Sequence, residues 1–513
     1  MALARTFSVA LIGVHGHLIE VEADIASGLP ATILVGLPDT ALREARDRIR
    51  AAIVNSGEAW PNSKITVGLS PASLPKRGSG YDLAIACAVL AAAEAVPATA
   101  LAGTMFLAEL GLDGRLRPVT GVLPAVIAAE GGVHTVVVAA GNAAEAALVP
   151  GLRVIGASSL LEVIVWLRGG PPPATAPVPE PPPGPEPALT AARKLDLAEV
   201  LGQAEARLAA EICAAGGHNL SLLGPPGAGK TMLAERLPTI LPDLDTAGAL
   251  EVTSIHSVAG RLPPGSGLLT EPPFWAPHHT SSMAAIVGGG SGVIRPGAAS
   301  LAHLGILFLD EAPEFHRDVL DALRQPLESG QVVIARVGVQ AVFPARFTLV
   351  LAANPCPCAR TAGPGKSACS CSPAVRRRYL ARLSGPLLDR VDVKVQLQPV
   401  SRREMLYDRQ FAEPSTVVAQ RVSAARERCA ARLRGTPWRV NAEVPGSALR
   451  RSFTPGPAAL ASLDRAMELG QVSARGADKI IRVAWSLADL AGSDLPGADQ
   501  VNLAIGLWLG VPR

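Results

Sequence analysis

The segment Gly224-Pro-Pro-Gly-Ala-Gly-Lys-Thr231 constrains this chain more than any other, because such a loop works only between a strand and a helix. Asn219–Leu223 ahead of it reads as a short apolar strand, and Thr231–Leu237 behind it as a helix. Glycines let backbone N–H groups approach phosphate oxygens, and the helix N-terminus adds its positive end. Gly224, Pro225, Pro226, Gly227, Ala228, Gly229, Lys230 and Thr231 are therefore a candidate cradle for ATP or GTP. In it Lys230 reaches the β and γ phosphates and Thr231 holds Mg²⁺. A chain built around this unit is expected to be α/β, with a parallel sheet and its site at the carboxyl edge.

Two further strands carry polar tips. Gly305-Ile-Leu-Phe-Leu-Asp-Glu311 is an apolar run ending in two carboxylates. Asp310 suits Mg²⁺ coordination through water, and Glu311 suits polarising the attacking water. Phe347–Ala353 ends in Asn354, whose amide can sense a γ-phosphate and position water. The long stretch between Lys230 and Asp310 contains Ala276-Pro-His-His-Thr280 and Gly288-Gly-Gly290, text that suits a loop facing a pore. His278 and His279 are either metal ligands or hydrogen-bonding loop residues; no carboxylate lies beside them, which favours the second. Gln331–Ala335 and Val339–Phe343 read as a hairpin around a turn with Arg336 and Gly338. Arg336 there is either a solvated charge or a DNA contact.

A length of 513 residues implies about three domains. Gly169–Pro187 contains ten prolines and reads as a semi-rigid polyproline spacer. The expected division is 1–168, a linker at 169–189, a nucleotide-binding core at 190–400, and an Arg-rich helical domain at 401–513. In the first block Ile19–Ala23, Thr32–Val35, Lys64–Leu69, Thr104–Ala108 and Val133–Ala139 read as strands. Helices are expected over Asp39–Ser56, from Asp82 and from Gly121, and Asp196–Ala215 should open the core as another. Leu83–Ala108 is nearly all apolar, but Glu94 and Pro97 interrupt it. A mid-span charge costs about 3 kcal/mol, so a buried helix followed by a strand is expected, with no membrane span.

A 49% hydrophobic and 18% charged composition excludes wholesale disorder. The net charge of +3 excludes a uniformly basic nucleic-acid binder. Any DNA footprint must instead lie in local clusters such as Arg376–Arg378 with Arg382, or Arg402, Arg403 and Arg409. Each cluster is equally well a solvated or inter-subunit face. Aromatic content of 4% argues for backbone contact over base stacking. Seven cysteines, with no leader in MALARTFSVALIG, imply a reducing, cytoplasmic setting. Four of them form Cys356-Pro-Cys358 and Cys369-Ser-Cys371, a pattern open to structural Zn²⁺, free thiols or redox disulfides. Cys87, Cys213 and Cys429 sit in apolar or helical text and are expected to be structural.

The order of these motifs resembles the AAA+ ATPases. Gly385-Pro-Leu-Leu-Asp-Arg390-Val-Asp resembles the arginine-finger segment of the helix-2-insert clade, which holds magnesium chelatase and the MCM helicases. The resemblance implies that Arg390 reaches a neighbour's γ-phosphate in a ring, usually a hexamer. Ser473-Ala-Arg475-Gly resembles the sensor-2 position, with Arg482 as the competing candidate. End to end, the chain is similar to the ComM/YifB family of magnesium-chelatase-like AAA+ proteins. Matching stretches include Val35-Gly-Leu-Pro-Asp39, Pro71–Lys76, Gly216-Gly-His-Asn219, Ile255–Gly260, Pro277-His-His279, Asn354–Cys358 and Leu383–Arg390. That likeness implies a Mg²⁺-ATP-driven ring helicase that migrates branched DNA, in ComM members during natural transformation.

The N-terminal block looks like a Lon-protease-type domain of the ribosomal S5 domain 2 fold, whose active members use a Ser–Lys dyad. Here Gly80 or Tyr81 falls at the Ser position and Leu123 at the Lys position, with Ser79 displaced. Without a base a Ser hydroxyl is a poor nucleophile, so a non-proteolytic DNA-binding or assembly module is expected. A chelatase-type motor subunit and a Lon-like protease remain the rival readings.

Overall fold

A computed structural model of the chain describes residues 2–36, 40–129, 132–173, 195–263, 265–290, 294–336, 339–360 and 369–511. Most of the proline-rich linker, part of Val35–Asp39, the turn at Gly338 and residues 361–368 lie outside the described residues.

The N-terminal block contains β1 (Ala2–Ile12), β2 (His15–Ala26), β3 (Ala31–Val35), β4 (Lys64–Ser70) and β5 (Thr104–Leu107). A short hairpin follows, β6 (Glu109–Leu110) with β7 (Leu116–Arg117), then β8 (Thr135–Ala139) and β9 (Arg153–Ala157). Seven of these make a mixed sheet in the order β3-β4-β2-β1-β5-β8-β9. The five strands read from the sequence are all present. The first residues, weighed above only as a leader, instead form β1, which pairs antiparallel with β2 from Ala2↔Ile25 to Ile12↔His15. Its period of two is built from small and polar residues: Ala4, Thr6, Ser8 and Ala10 are buried while Leu3 and Arg5 are exposed. The Thr6 and Ser8 hydroxyls are satisfied by donating to the carbonyls of Thr104 and Phe106 at 3.0 and 3.1 Å.

The apolar stretch from Leu83 resolves as expected. Asp82–Ala92 is a helix with every residue buried, packed against β1, β2 and the helix Thr40–Asn55, and β5 follows. Among the described residues no helix is long and apolar enough to cross a membrane.

The second sheet contains β10 (Leu220–Leu223), β11 (Phe274–Trp275), β14 (Ile306–Leu309), β17 (Thr348–Ala353) and β18 (Val393–Gln396). Its order is β11-β14-β17-β10-β18, and every pairing is parallel. Two antiparallel pairs stand apart from it: β12 (Gly288–Gly289) with β13 (Arg295–Pro296), and β15 (Gln331–Arg336) with β16 (Val339–Pro344). The second pair is the expected hairpin. The helix expected over Asp196–Ala215 is shorter, Ala204–Gly216. Asp196 instead caps a single 3₁₀ turn, Leu197–Glu199, and Gly202 takes φ +69°, which ends any helical run from that side. A Cβ at Gly202 would meet the Val400 side chain at 2.1 Å, so tertiary packing overrides the local propensity there.

After β18 the described residues contain no strand. Helices Ser415–Arg432, Pro457–Glu468, Ala474–Ala491 and Ala498–Leu509 pack an apolar face (Val418, Val422, Ile480, Leu507) onto the sheet residues Leu220, Leu222 and Val393. A buried polar network runs through this contact. Lys479 Nζ donates to Asp392 Oδ1 at 2.5 Å, and His218 Nδ1 lies 3.7 Å from Asp392 Oδ2. The other His218 nitrogen meets Ser486 Oγ at 2.7 Å, and Asn441 joins Ser486 to Asp489, which pairs with Arg432. Burial pushes the Asp392 carboxyl up, but Lys479 and His218 together more than reverse this and hold it below the ordinary carboxylate range.

Removing one member of a buried pair strands the other charge, so Asp392→Ala should lower stability by about 3–5 kcal/mol. Because the folded-state pKa is depressed, this contribution is present above the ordinary carboxylate range and is lost as pH falls through the lower folded value. The penalty, read from urea unfolding of the full chain, should therefore be flat over neutral pH and shrink below about pH 4.

Candidate functional site

Three neighbouring parallel strands, β14, β17 and β10, end on one edge, and each delivers a polar group there. β10 runs into the glycine-rich loop. Gly227 and Gly229 have φ of +76° and +90°, a region that favours glycine. A Cβ on Gly224 would come within 2.9 Å of Leu397, which continues from β18. The helix Lys230–Arg236 starts directly from the loop.

Lys230 is buried and folds back over this edge. Its Nζ donates to the Gly224 and Pro225 carbonyls at 2.7 and 3.0 Å and to Asn354 Oδ1 at 3.0 Å. Burial lowers its pKa, opposed by the Asp310 and Glu311 carboxylates. Thr231 Oγ1 donates to Asp310 Oδ2 at 2.7 Å, and Asp310 Oδ1 accepts from the Glu311 backbone N–H at 2.9 Å. The glycine-rich loop, Lys230, Thr231, Asp310, Glu311 and Asn354 thus lie together at the carboxyl edge. Thr231 and Asp310 offer two hard oxygens side by side, the donor type that Mg²⁺ takes.

Arg390 stands elsewhere. β18 pairs with β10 in register from Leu220↔Val393 to Leu223↔Gln396, so Arg390 precedes the sheet where the phosphate loop follows it. The four residues of β10 separate the two edges by about 13 Å. At the amino edge Asn219 Nδ2 donates to the Arg390 carbonyl at 2.8 Å, and the guanidinium pairs with Glu328. Burial lowers the Arg390 pKa, and the charges of Arg475 and Arg324 lower it further. Arg475 is exposed, whereas Arg482 is largely buried and spends its Nε on the Val444 carbonyl at 2.7 Å.

Beyond Asn354 the four paired cysteines come together: the sulfurs of Cys356, Cys358, Cys369 and Cys371 all lie within 4.8 Å of one another. Cys87, Cys213 and Cys429 are separately buried.

Comparison with known proteins gives this geometry a family. The model for magnesium chelatase subunit ChlI matches residues 196–405, its C-terminal model matches 412–507, and a further model for subunit ChlI of Mg-chelatase matches 21–142. Competence protein ComM of Haemophilus influenzae is 40% identical over 495 residues, 96% of this chain and 94% of that protein. YifB of Escherichia coli is 40% identical over 511 residues, 98% of this chain and 97% of its own. The chain belongs to the ComM/YifB family of magnesium-chelatase-like AAA+ proteins. An uncharacterized protein of Mycobacterium tuberculosis is 53% identical over 506 residues, 98% of each chain. An AAA+ ATPase of this family implies the use of ATP and Mg²⁺, and the carboxyl-edge residues fit both.

Within this ComM/YifB site, two partners escaped the sequence reading. His279 Nδ1 lies 3.6 Å from Glu311 Oε2, and His278 Nδ1 shares a 2.8 Å hydrogen bond with Thr280 Oγ1. The His278–Thr280 contact is of the hydrogen-bonding kind. Glu311 itself sits at φ +49°, a left-handed conformation costing a non-glycine residue about 1–3 kcal/mol. Gln203, buried, straps the phosphate loop to the sheet by donating to the carbonyls of Ala228 and Gln398 at 3.0 and 2.8 Å. No local pattern marks Gln203; a histidine pair in polar loop text was the one available signal for His279.

Lys230→Ala should abolish nucleotide binding or turnover, read by equilibrium binding of a fluorescent ATP analogue and by phosphate release. Glu311→Gln should still bind ATP but lose turnover; normal hydrolysis by this variant would remove Glu311 from the water-polarising role.

Proposed function

We propose that this chain is a cytoplasmic Mg²⁺-ATP-dependent motor that assembles as a ring, with six subunits expected, and moves branched DNA during recombination. The observation that carries this reading is the separation of Arg390 from its own phosphate loop. A guanidinium at the amino edge cannot span a strand length to the γ-phosphate held at the carboxyl edge. A second copy, docking its amino edge on the first one's nucleotide, would bring Arg390 to the transferring phosphoryl group, with exposed Arg475 beside it. In this arrangement Lys230 holds the β and γ phosphates, Thr231 and Asp310 hold Mg²⁺, Glu311 polarises water, and Asn354 reports the γ-phosphate to Lys230. Mg²⁺ supplies charge neutralisation on the phosphate oxygens when bound.

The division into an N-terminal module at 1–168, a linker at 169–189, an ATPase core at 190–400 and a helical lid at 401–513 belongs to the same reading. DNA as the partner is supported by the name of the competence protein ComM and by the exposed run Arg376–Arg378. Such a footprint reads backbone phosphates with little sequence preference. Arg382 is less free than the sequence suggested, since it donates to Glu314 at 2.8 Å. A chelatase-type motor subunit is the second reading, favoured by the descriptions of the three matching family models. A Lon-like protease is disfavoured by local chemistry. The Ser79 hydroxyl donates to the Glu109 carboxylate, and Leu123, at the Lys position, is fully buried.

ATP hydrolysis measured with and without a four-way DNA junction, across a salt series, tests the DNA assignment. Junction-stimulated turnover and binding that weakens steeply with salt are expected. Turnover indifferent to DNA would reject the helicase reading in favour of the chelatase-type motor. Arg390→Ala should lose turnover by about 10³ or more. Mixing it with Glu311→Gln should restore part of the activity, because the second variant supplies an intact finger to an intact phosphate loop. No gain on mixing would mean that Arg390 does not act between subunits.

A further inference from the structure

The four-cysteine cluster lies outside the nucleotide chemistry described above. Cys356 follows Asn354 by two residues, and Cys371 directly precedes Ser372, which caps the helix Pro373–Leu380. The sulfur separations are 3.2 Å for Cys356–Cys358, 3.3 Å for Cys356–Cys369 and 3.4 Å for Cys358–Cys369. A disulfide requires about 2.05 Å, and all four cysteines are free thiols in the structure. Four thiolates on a tetrahedral Zn²⁺, each at about 2.3 Å, stand about 3.8 Å apart. Those three separations fall about half an ångström short of this spacing, and all four sulfurs lie within 4.8 Å of one another, so the cluster is compact enough to close on one ion.

Its construction is also that of a site. The first C-x-C pair lies in a turn closed by the Ala359 N–H donating to the Cys356 carbonyl at 3.3 Å. Ala359, immediately after the first turn, takes φ +49°, the left-handed bend that brings the chain round. Arg376 Nη2 lies 3.6 Å from Cys369 Sγ, where a cation offsets the net negative charge of a metal held by four thiolates. Soft sulfur donors select Zn²⁺ and leave Mg²⁺ to the oxygens of Thr231 and Asp310.

We propose that Cys356, Cys358, Cys369 and Cys371 bind one structural Zn²⁺, each thiol losing its proton on ligation, and that the ion fixes the chain between Asn354 and the helix carrying Arg376–Arg378. The ion closes a loop whose two ends are a γ-phosphate-reading amide and a basic helix. Its mechanical consequence is that Asn354 keeps its hydrogen bond to Lys230 while that helix is held against the same strand end. This second half rests on the role proposed above for Asn354; the binding of zinc does not.

The test uses the full chain. Elemental analysis should find one zinc per chain, and a mercurial titration followed with a chromogenic chelator should release that zinc as four thiols react. The double variant Cys358→Ser/Cys371→Ser should carry none. Should that variant fail to fold, the native titration alone decides. Metal-free chain with directly reactive Cys358, Cys369 and Cys371 would overturn the site, as would only three titratable thiols in denaturant without reductant, the signature of two disulfides. For the coupling, the zinc-free variant should bind the fluorescent ATP analogue with unchanged affinity but turn over about tenfold more slowly, a loss typical of removing a positioning contact. Unchanged turnover in a zinc-free chain would overturn the coupling while leaving the zinc site standing.

Discussion

A parallel sheet has two chemically different edges, and the direction shared by β14, β17, β10 and β18 decides where everything else in this molecule can act. The carboxyl ends release the glycine-rich loop, Asp310–Glu311 and Asn354 onto one edge. The amino ends collect Asn219, Asp392 and Arg390 on the other. No side-chain movement can exchange the two, because the strand between them is longer than an arginine. On the function proposed above, a single chain carries both halves of a phosphoryl-transfer site but faces them in opposite directions. On the reading proposed here, ring closure is the geometric answer to that mismatch.

The amino edge is held by one side chain more than any other. Asn219 Oδ1 accepts from the Leu349 N–H at 2.8 Å, its Nδ2 donates to the Arg390 carbonyl at 2.8 Å, and its backbone N–H donates to Asp392 Oδ2 at 3.0 Å. Those contacts strap the starts of β17, β10 and β18 together and set the backbone of Arg390. Asp392 then extends the strap through Lys479 and His218 into the helix Ala474–Ala491, the helix on which Arg475 also lies. Buried charges need partners in place, so the network fixes the angle of the helical region more tightly than apolar contact alone does. Arg390 and Arg475 are consequently positioned by the same set of hydrogen bonds.

What the sequence revealed and what it hid divide along physical lines. The phosphate loop, Asp310, Glu311 and Asn354 were legible because each is a polar tip on an apolar strand, a pattern fixed within a few residues. The hairpin and the buried helix after Asp82 were legible for the same local reason. β1 was not, because its buried face is Ala4, Thr6, Ser8 and Ala10, a stripe without large apolar residues whose hydroxyls are satisfied only once β5 is alongside. The start of the helix at Ala204 was hidden by Gly202, whose conformation is set by Val400, far away in sequence. Gln203 and the His279–Glu311 contact are invisible for that reason too: both exist only after separate loops meet.

The N-terminal block shows where such tertiary constraints lead. It meets the rest of the chain at the β15–β16 hairpin and at the helix Thr246–Val258, and among the described residues it does not pair with the parallel sheet. Leu11, Ile12 and Val14 pack with Val258, Ala341 and Phe343, and the Gly121 N–H donates to the Ser257 carbonyl at 3.2 Å. At the turn between β1 and β2, Gly13 has φ +66°, and a Cβ there would sit 2.4 Å from the Val342 carbonyl oxygen. Only glycine permits both the turn and the approach. The block is therefore fastened to the β15–β16 hairpin and to the helix Thr246–Val258. If the proposed nucleotide turnover shifts the hairpin, it must either carry the N-terminal block with it or break an apolar contact that leaves no room for slippage at Gly13.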